Sequence, residues 1–192
     1  MLKPRRGWLI WLGGALIIGG AAFLTVYWWT LHEGAAAQRH AKEWLIGATV
    51  AHRLVQRPPA VHRGDVIGEL EIPRLQLLVM VFEGDDAGIL DQGAGHIPET
   101  ALTPGSGNIG IAAHRDTYFR PLRAIRANDV IALKTPAGTS RYAVTEAMIV
   151  RPSDVGVLAR APGRDLTLVT CYPFFYVGNA PERFIVHARK IG

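Results

Sequence analysis

Thr167-Leu168-Val169-Thr170-Cys171-Tyr172-Pro173 is the stretch on which the reading of this chain turns. Its alternating, β-branched run predicts a strand that stops at a proline, and it carries the only cysteine in 192 residues. A thiol at a strand end is either an inert core group or a nucleophile presented at the rim of a sheet. The choice depends on whether a base and an anion-stabilising group stand elsewhere in the chain.

Working outward, the same period of two recurs on both sides of residue 171. Strands are predicted at 66–72, 77–82, 108–114, 130–134, 140–150, 165–171 and 183–189, separated by Gly- and Pro-containing turns such as Pro136-Ala137-Gly138. Residues 87–93 suit a helical turn or two. Many short strands favour a closed barrel or a sandwich, because closure removes exposed edges. The fold class is therefore mainly β, with short accessory helices.

The chain before this β region is of another kind. No charged side chain occurs from residue 7 to residue 31. A helix of that length is roughly 37 Å long, enough to cross a hydrocarbon core of about 30 Å with some tilt. Trp8 and Trp11 flank one end and Tyr27, Trp28 and Trp29 the other, as interfacial anchoring requires. The apolar run exceeds the usual signal-peptide core, which favours an uncleaved transmembrane anchor over a cleaved leader despite Ala35-Ala36-Ala37. Lys3, Arg5 and Arg6 abut the span and argue for a cytoplasmic N-terminus, with the rest of the chain extracytoplasmic. Residues 34–56 show helical spacing of Ala37, Ala41, Trp44, Leu45, Ala48 and Val55, ended by Arg57-Pro58-Pro59. The expected organisation is a cytoplasmic stretch 1–6, an anchor 7–31, a juxtamembrane helix and linker 32–64, and a β domain 65–192.

Charge follows the same division. Residues 1–64 carry eight Lys/Arg against two Asp/Glu, whereas 65–192 carry thirteen against fourteen. The net charge of +5 thus belongs to the N-terminal arm, and a nucleic-acid partner is not expected. One cysteine excludes an internal disulfide and a cysteine-rich zinc site. Asp85-Asp86 lacks the pattern of a calcium loop and suits a solvated turn. No metal and no cofactor is expected.

Two residues suit the roles that Cys171 needs. His114 ends the predicted strand 108–114 and precedes a loop, where an imidazole can exchange protons near neutral pH. Alone, a structural or surface histidine is the simpler reading. His32, His40, His52 and His62 lie in the arm, His96 in a turn-rich loop and His187 in the last strand, and none is spaced as a metal pair. Arg183 opens the last strand; alone it reads as a solvated arginine paired with Glu182, but in company its guanidinium can donate to an oxyanion.

These three segments together resemble the sortase family. Thr167-Leu168-Val169-Thr170-Cys171 matches its Thr-Leu-x-Thr-Cys signature, Ile111-Ala112-Ala113-His114-Arg115-Asp116 resembles its histidine segment, and Glu182-Arg183-Phe184-Ile185-Val186 matches its arginine strand. The runs after His114 and around Cys171 look most like class D sortases, and Ala113 stands where such sequences often have glycine. The resemblance implies an eight-stranded sortase-type β-barrel, preceded by one N-terminal transmembrane helix, and a membrane-anchored cysteine transpeptidase. Cys171 would be the nucleophile on a Leu-Pro-x-Thr-Gly-like sorting signal, His114 the general acid and base, and Arg183 the oxyanion and substrate-positioning group. It implies a secreted protein substrate, an amine acceptor on a cell-wall precursor or protein, and a lipid bilayer as partners. Thr170, Ala113, Val155, Val157 and Leu158 are the expected substrate contacts, with barrel packing of the last three as the alternative. A peptidase using the same site, or a non-enzymatic anchored β-domain with Cys171 buried, are the competing readings.

Overall fold

The computed structural model describes residues 7–52, 60–102, 104, 106–159, 161 and 165–192. Lys3, Arg5 and Arg6, the helix stop at Arg57-Pro58-Pro59, and residues 160, 162 and 163 of the loop before the cysteine strand lie outside the described residues. The chain forms two compact units, Met1–Ala36 and Ala37–Gly192.

A single α-helix, α1 (Gly7–His52), joins the two predicted helical stretches without a break. The alanine-rich residues 35–37 that resembled a cleavage site are strong helix formers, so nothing local interrupts the helix there. Trp11–Trp28 is long and apolar enough to cross a membrane. Within the second unit, Ala41 and Leu45 of α1 are buried against Met80, Phe82 and Ile89. Gln38, one turn earlier on the same face, accepts from the Met80 amide at 2.7 Å through its side-chain oxygen and donates to the Gln92 carbonyl. This part of α1 therefore packs as a wall of the β unit.

Eight strands close the barrel: β1 (Val66–Ile72), β2 (Leu77–Glu83), β3 (Ala94–His96), β4 (Ile109–Ala112), β5 (Val130–Thr135), β6 (Gly138–Val150), β7 (Leu166–Tyr172) and β8 (Glu182–Lys190). Their order around the barrel is β1-β2-β3-β4-β7-β8-β6-β5. The β2–β3 and β4–β7 pairs are parallel and the others antiparallel. Seven strands follow the predicted runs. The eighth, β3, was expected as loop, because Ala-Gly-His is too short to display a period.

That strand moves His96 from a turn to the interior. It is buried, with Nδ1 at 2.8 Å from a Glu83 carboxylate oxygen and Nε2 at 3.1 Å from the Ala101 carbonyl. The pair clasps β2 to the segment after β3. A short helix, α2 (Ala87–Leu90), begins at Asp86, whose carboxylate accepts from the Gly88 amide at 3.1 Å and pairs with Arg63 at 2.6 Å. Asp86 is thus a helix cap, and the Arg63 guanidinium holds its carboxyl below its usual range.

Side chains alternate between the barrel interior and its outside. Leu166, Leu168 and Thr170 of β7, Ile109, Ile111 and Ala113 of the β4 segment, and Val186 and Ala188 of β8 point inward and are buried. They join Leu70, Ile72, Ile131, Leu133 and Tyr142 in one contiguous core. Gly68 shows how tightly the wall closes: a Cβ there would lie 2.2 Å from the Lys134 carbonyl oxygen on β5. β7, between a parallel and an antiparallel neighbour, is paired along both edges, which fixes the register of its cysteine.

Candidate active site

Register brings the three predicted groups to one end of one face. Cys171 on β7 pairs directly with Arg183 on β8. In the β4–β7 ladder Ile109 pairs with Leu166 and Ala112 with Val169, so the same register carried two residues further sets His114 opposite Cys171. The Ala113 amide, donating to the Val169 carbonyl at 3.2 Å, shows the ladder continuing past the end of β4. Cross-strand partners share a face. His114, Cys171 and Arg183 therefore project from the outer face, at the same end of three adjacent strands.

Each group has further supports. Thr170, on the inward side next to Cys171, donates its hydroxyl to the Ala113 carbonyl at 2.7 Å. This bond is buried and locks the residue before His114 to the residue before Cys171. Thr170 and Ala113, expected as substrate contacts, are both interior in this structure and serve that link. Arg115 donates to the Tyr176 and Gly178 carbonyls at 2.7 and 3.0 Å, tying the loop after His114 to the loop after Cys171. Arg183 donates to the Glu182 and Ala180 carbonyls at 3.0 and 3.3 Å, so its described hydrogen bonds run to backbone oxygens. Tyr172, Phe174 and Phe184 form an aromatic cluster at this end of β7 and β8, with ring centroids 5.3 to 6.3 Å apart and two of the three pairs edge to face.

Cys171 is free and half-buried, neither sealed in the core nor fully exposed. His114 is also half-buried, and its Nε2 lies 3.3 Å from a carboxylate oxygen of Asp91, at the end of α2. Asp91 is 74% exposed, so water screens this contact strongly. Asp91 was missed in the sequence, since an isolated acid 23 residues before a histidine gives no local signal. Tyr118 also reaches this corner, with its hydroxyl at 3.0 Å from the Gln92 carbonyl. Burial first, then the Asp91 charge, pushes the Tyr118 phenol above its usual pKa, so it stays a neutral donor.

The loop between β6 and β7 holds the remaining predicted contacts. Val155–Leu158 forms one 3₁₀ turn. Val155 is 71% exposed and Val157 and Leu158 are half-buried, and none of them joins the barrel core. Among the described residues no group of three or more His, Cys, Asp or Glu side chains is placed to hold a metal ion.

A thiol, an imidazole and a guanidinium at adjacent strand ends can support acyl transfer: one group attacks a carbonyl, one moves a proton and one donates to the oxyanion. Comparisons with known proteins point the same way. The family model described as Sortase domain matches residues 70–191. Sortase D of Bacillus subtilis is 34% identical over 129 residues, covering 67% of this chain and 65% of that protein. Sortase SrtE1 of Streptomyces coelicolor is 31% identical over 188 residues, covering 85% of this chain and 51% of its own length. The chain thus spans about half to two thirds of these curated relatives. Among solved structures, a Clostridium perfringens Sortase D5 transpeptidase superimposes with a TM-score of 0.70 at 25% identity, covering 82% of this chain and 99% of that one.

Proposed function

The chain belongs to the sortase family of cysteine transpeptidases, and from that premise we propose that Cys171, His114 and Arg183 are its catalytic residues. The observation that carries this reading is the pairing of Cys171 with Arg183, with His114 opposite on the other side of β7.

In the proposed reaction the Cys171 thiolate attacks the Thr carbonyl carbon of a Leu-Pro-x-Thr-Gly-like sorting signal. Negative charge collects on the carbonyl oxygen, and Arg183 donates to it. The C–N bond then breaks, His114 protonates the leaving amine, and a thioester to Cys171 remains. An amine on a cell-wall precursor or another protein attacks the thioester. His114 takes the proton from that amine, the new amide forms, and the thiolate leaves. No cofactor enters this balance. The substrate backbone would lie along the outer face of β4, β7 and β8, with Val155, Val157 and Leu158 over the apolar part of the signal.

The apolar segment within 7–31 would anchor the enzyme in the membrane, with residues 1–6 in the cytoplasm, 32–64 as juxtamembrane helix and linker, and the catalytic domain 65–192 outside. Exposed apolar side chains along 11–28 suit contact with lipid.

The test is product analysis with full-length protein in detergent, a fluorescent sorting-signal peptide, and an added amine. Ligated product that depends on the amine supports transpeptidation. Hydrolysed product alone, at a rate unaffected by amine, would show a peptidase instead, and no Cys171-dependent turnover would exclude both.

A further inference from the structure

The outer face of β4, β7 and β8 has a second polar cluster, at the end opposite Cys171. Thr167 and Cys171 lie four residues apart on β7, roughly 13 Å at strand rise, with side chains on the same face. Thr167 pairs with His187 on β8 and with Gly110 on β4, just past Asn108. Asn108, Thr167 and His187 are all buried, at 3% exposure or less.

Their hydrogen bonds run in one direction. The Thr167 hydroxyl donates to Asn108 Oδ1 at 2.9 Å. With its only proton committed there, the same hydroxyl accepts from His187 Nδ1–H at 3.0 Å, which fixes that tautomer. The Asn108 amide nitrogen, held in place by its own accepting oxygen, donates to the Leu158 carbonyl at 2.9 Å. A flipped amide would set its oxygen against the Leu158 carbonyl, two acceptors face to face, and lose that bond. The chain therefore starts in the barrel wall and ends on the backbone of the β6–β7 loop, at the 3₁₀ turn that carries Val155, Val157 and Leu158.

We propose that Asn108 is a positioning residue that latches the β6–β7 loop over the peptide groove, so that it sets affinity for the sorting signal without touching the reacting atoms. Thr167 orients the latch and His187 orients Thr167. A protein amide here supplies a fixed anchor point for a loop whose own residues are half exposed. The role rests on the proposed transpeptidase reading, whereas the latch itself does not.

The test uses full-length protein in detergent with two readouts: hydrogen exchange of the amides at 155–159, and KM and kcat for a sorting-signal peptide. Asn108→Ala should speed exchange in this loop roughly tenfold and raise KM several-fold, with kcat within about twofold, on the scale of one buried hydrogen bond. Asn108→Asp keeps the shape but replaces the donor with an acceptor, and should loosen the same loop. Thr167→Val should give a smaller shift of the same kind, and Thr167→Ser should restore the parent values. Unchanged loop exchange in both Asn108 variants, or faster exchange spread evenly over the barrel, would overturn the latch. A loosened loop with unchanged KM would overturn its role in affinity. If the parent protein turns over no sorting-signal peptide, the transpeptidase reading fails, while the exchange pattern still decides the latch.

Discussion

The face shared by β4, β7 and β8 is polar at both ends, and the two ends are built in opposite ways. At one end Asn108, Thr167 and His187 are buried and bonded to one another. At the other, Cys171, His114 and Arg183 are half-buried, and their described contacts run to backbone carbonyls or to an exposed carboxylate. Buried polar groups that satisfy each other rigidify a structure, whereas groups left partly open to water can bind and react. One strand thus carries a structural Thr and the proposed nucleophile Cys171 four residues apart. The difference lies in what covers them, not in the strand.

If the two ends differ in this way, substitutions at the open end should change rate without changing stability. His114→Ala and Arg183→Ala are each expected to lower transpeptidation about 10²- to 10³-fold, with the melting temperature nearly unchanged. A rate within about twofold of the parent for Arg183→Ala would remove it from the oxyanion role.

The core beneath should behave the other way. Leu168 is fully buried between the two ends, and Leu168→Ala should cost about 3 kcal/mol of stability in denaturant unfolding. Per folded molecule, the KM of that variant should move little.

Alkaline pH separates the two regions further. Burial pushes the Tyr142 phenol up to about 12 in the folded barrel, above the usual tyrosine value of about 10. The folded state then holds a proton that the unfolded chain has released. Stability from this group is complete below about pH 10 and is lost as pH rises towards 12, at most about 2 to 3 kcal/mol. Tyr142→Phe should flatten the stability-against-pH curve in that window, and a curve as steep as the parent's would show that another group controls alkaline unfolding.

The smallest effect is expected at Asp91. Because its contact with His114 is screened, Asp91→Asn should lower kcat/KM only a few-fold at low salt, with the difference fading as salt rises. A salt-independent loss of a hundredfold would instead make Asp91 part of the catalytic machinery.

Much of this was legible in the sequence, for physical reasons that also mark the limits. β7 and β8 are seven and nine residues long and carry the motif segments, so both strands and the candidate residues Cys171 and Arg183 at their ends could be read from sequence. β3 is three residues long and its pairing is decided by its neighbours, which hid both the strand and the Glu83–His96 clasp. Asp91 and Asn108 act on His114 and Leu158 across 23 and 50 positions, distances over which only the closed barrel creates proximity. Thr170 is among the expected substrate contacts. Its inward orientation, set by the alternation along β7, directs its hydroxyl to the Ala113 carbonyl, a partner that the sequence does not reveal.

The most direct test is capture of the acyl-enzyme. Full-length protein incubated with a sorting-signal peptide and no amine acceptor, then digested and analysed by intact-peptide mass spectrometry, should carry the N-terminal part of the signal as a thioester on Cys171. That adduct should discharge on adding an amine and be absent in Cys171→Ala. Turnover of the peptide by Cys171→Ala at the parent rate, or an adduct on any other residue, would contradict the account.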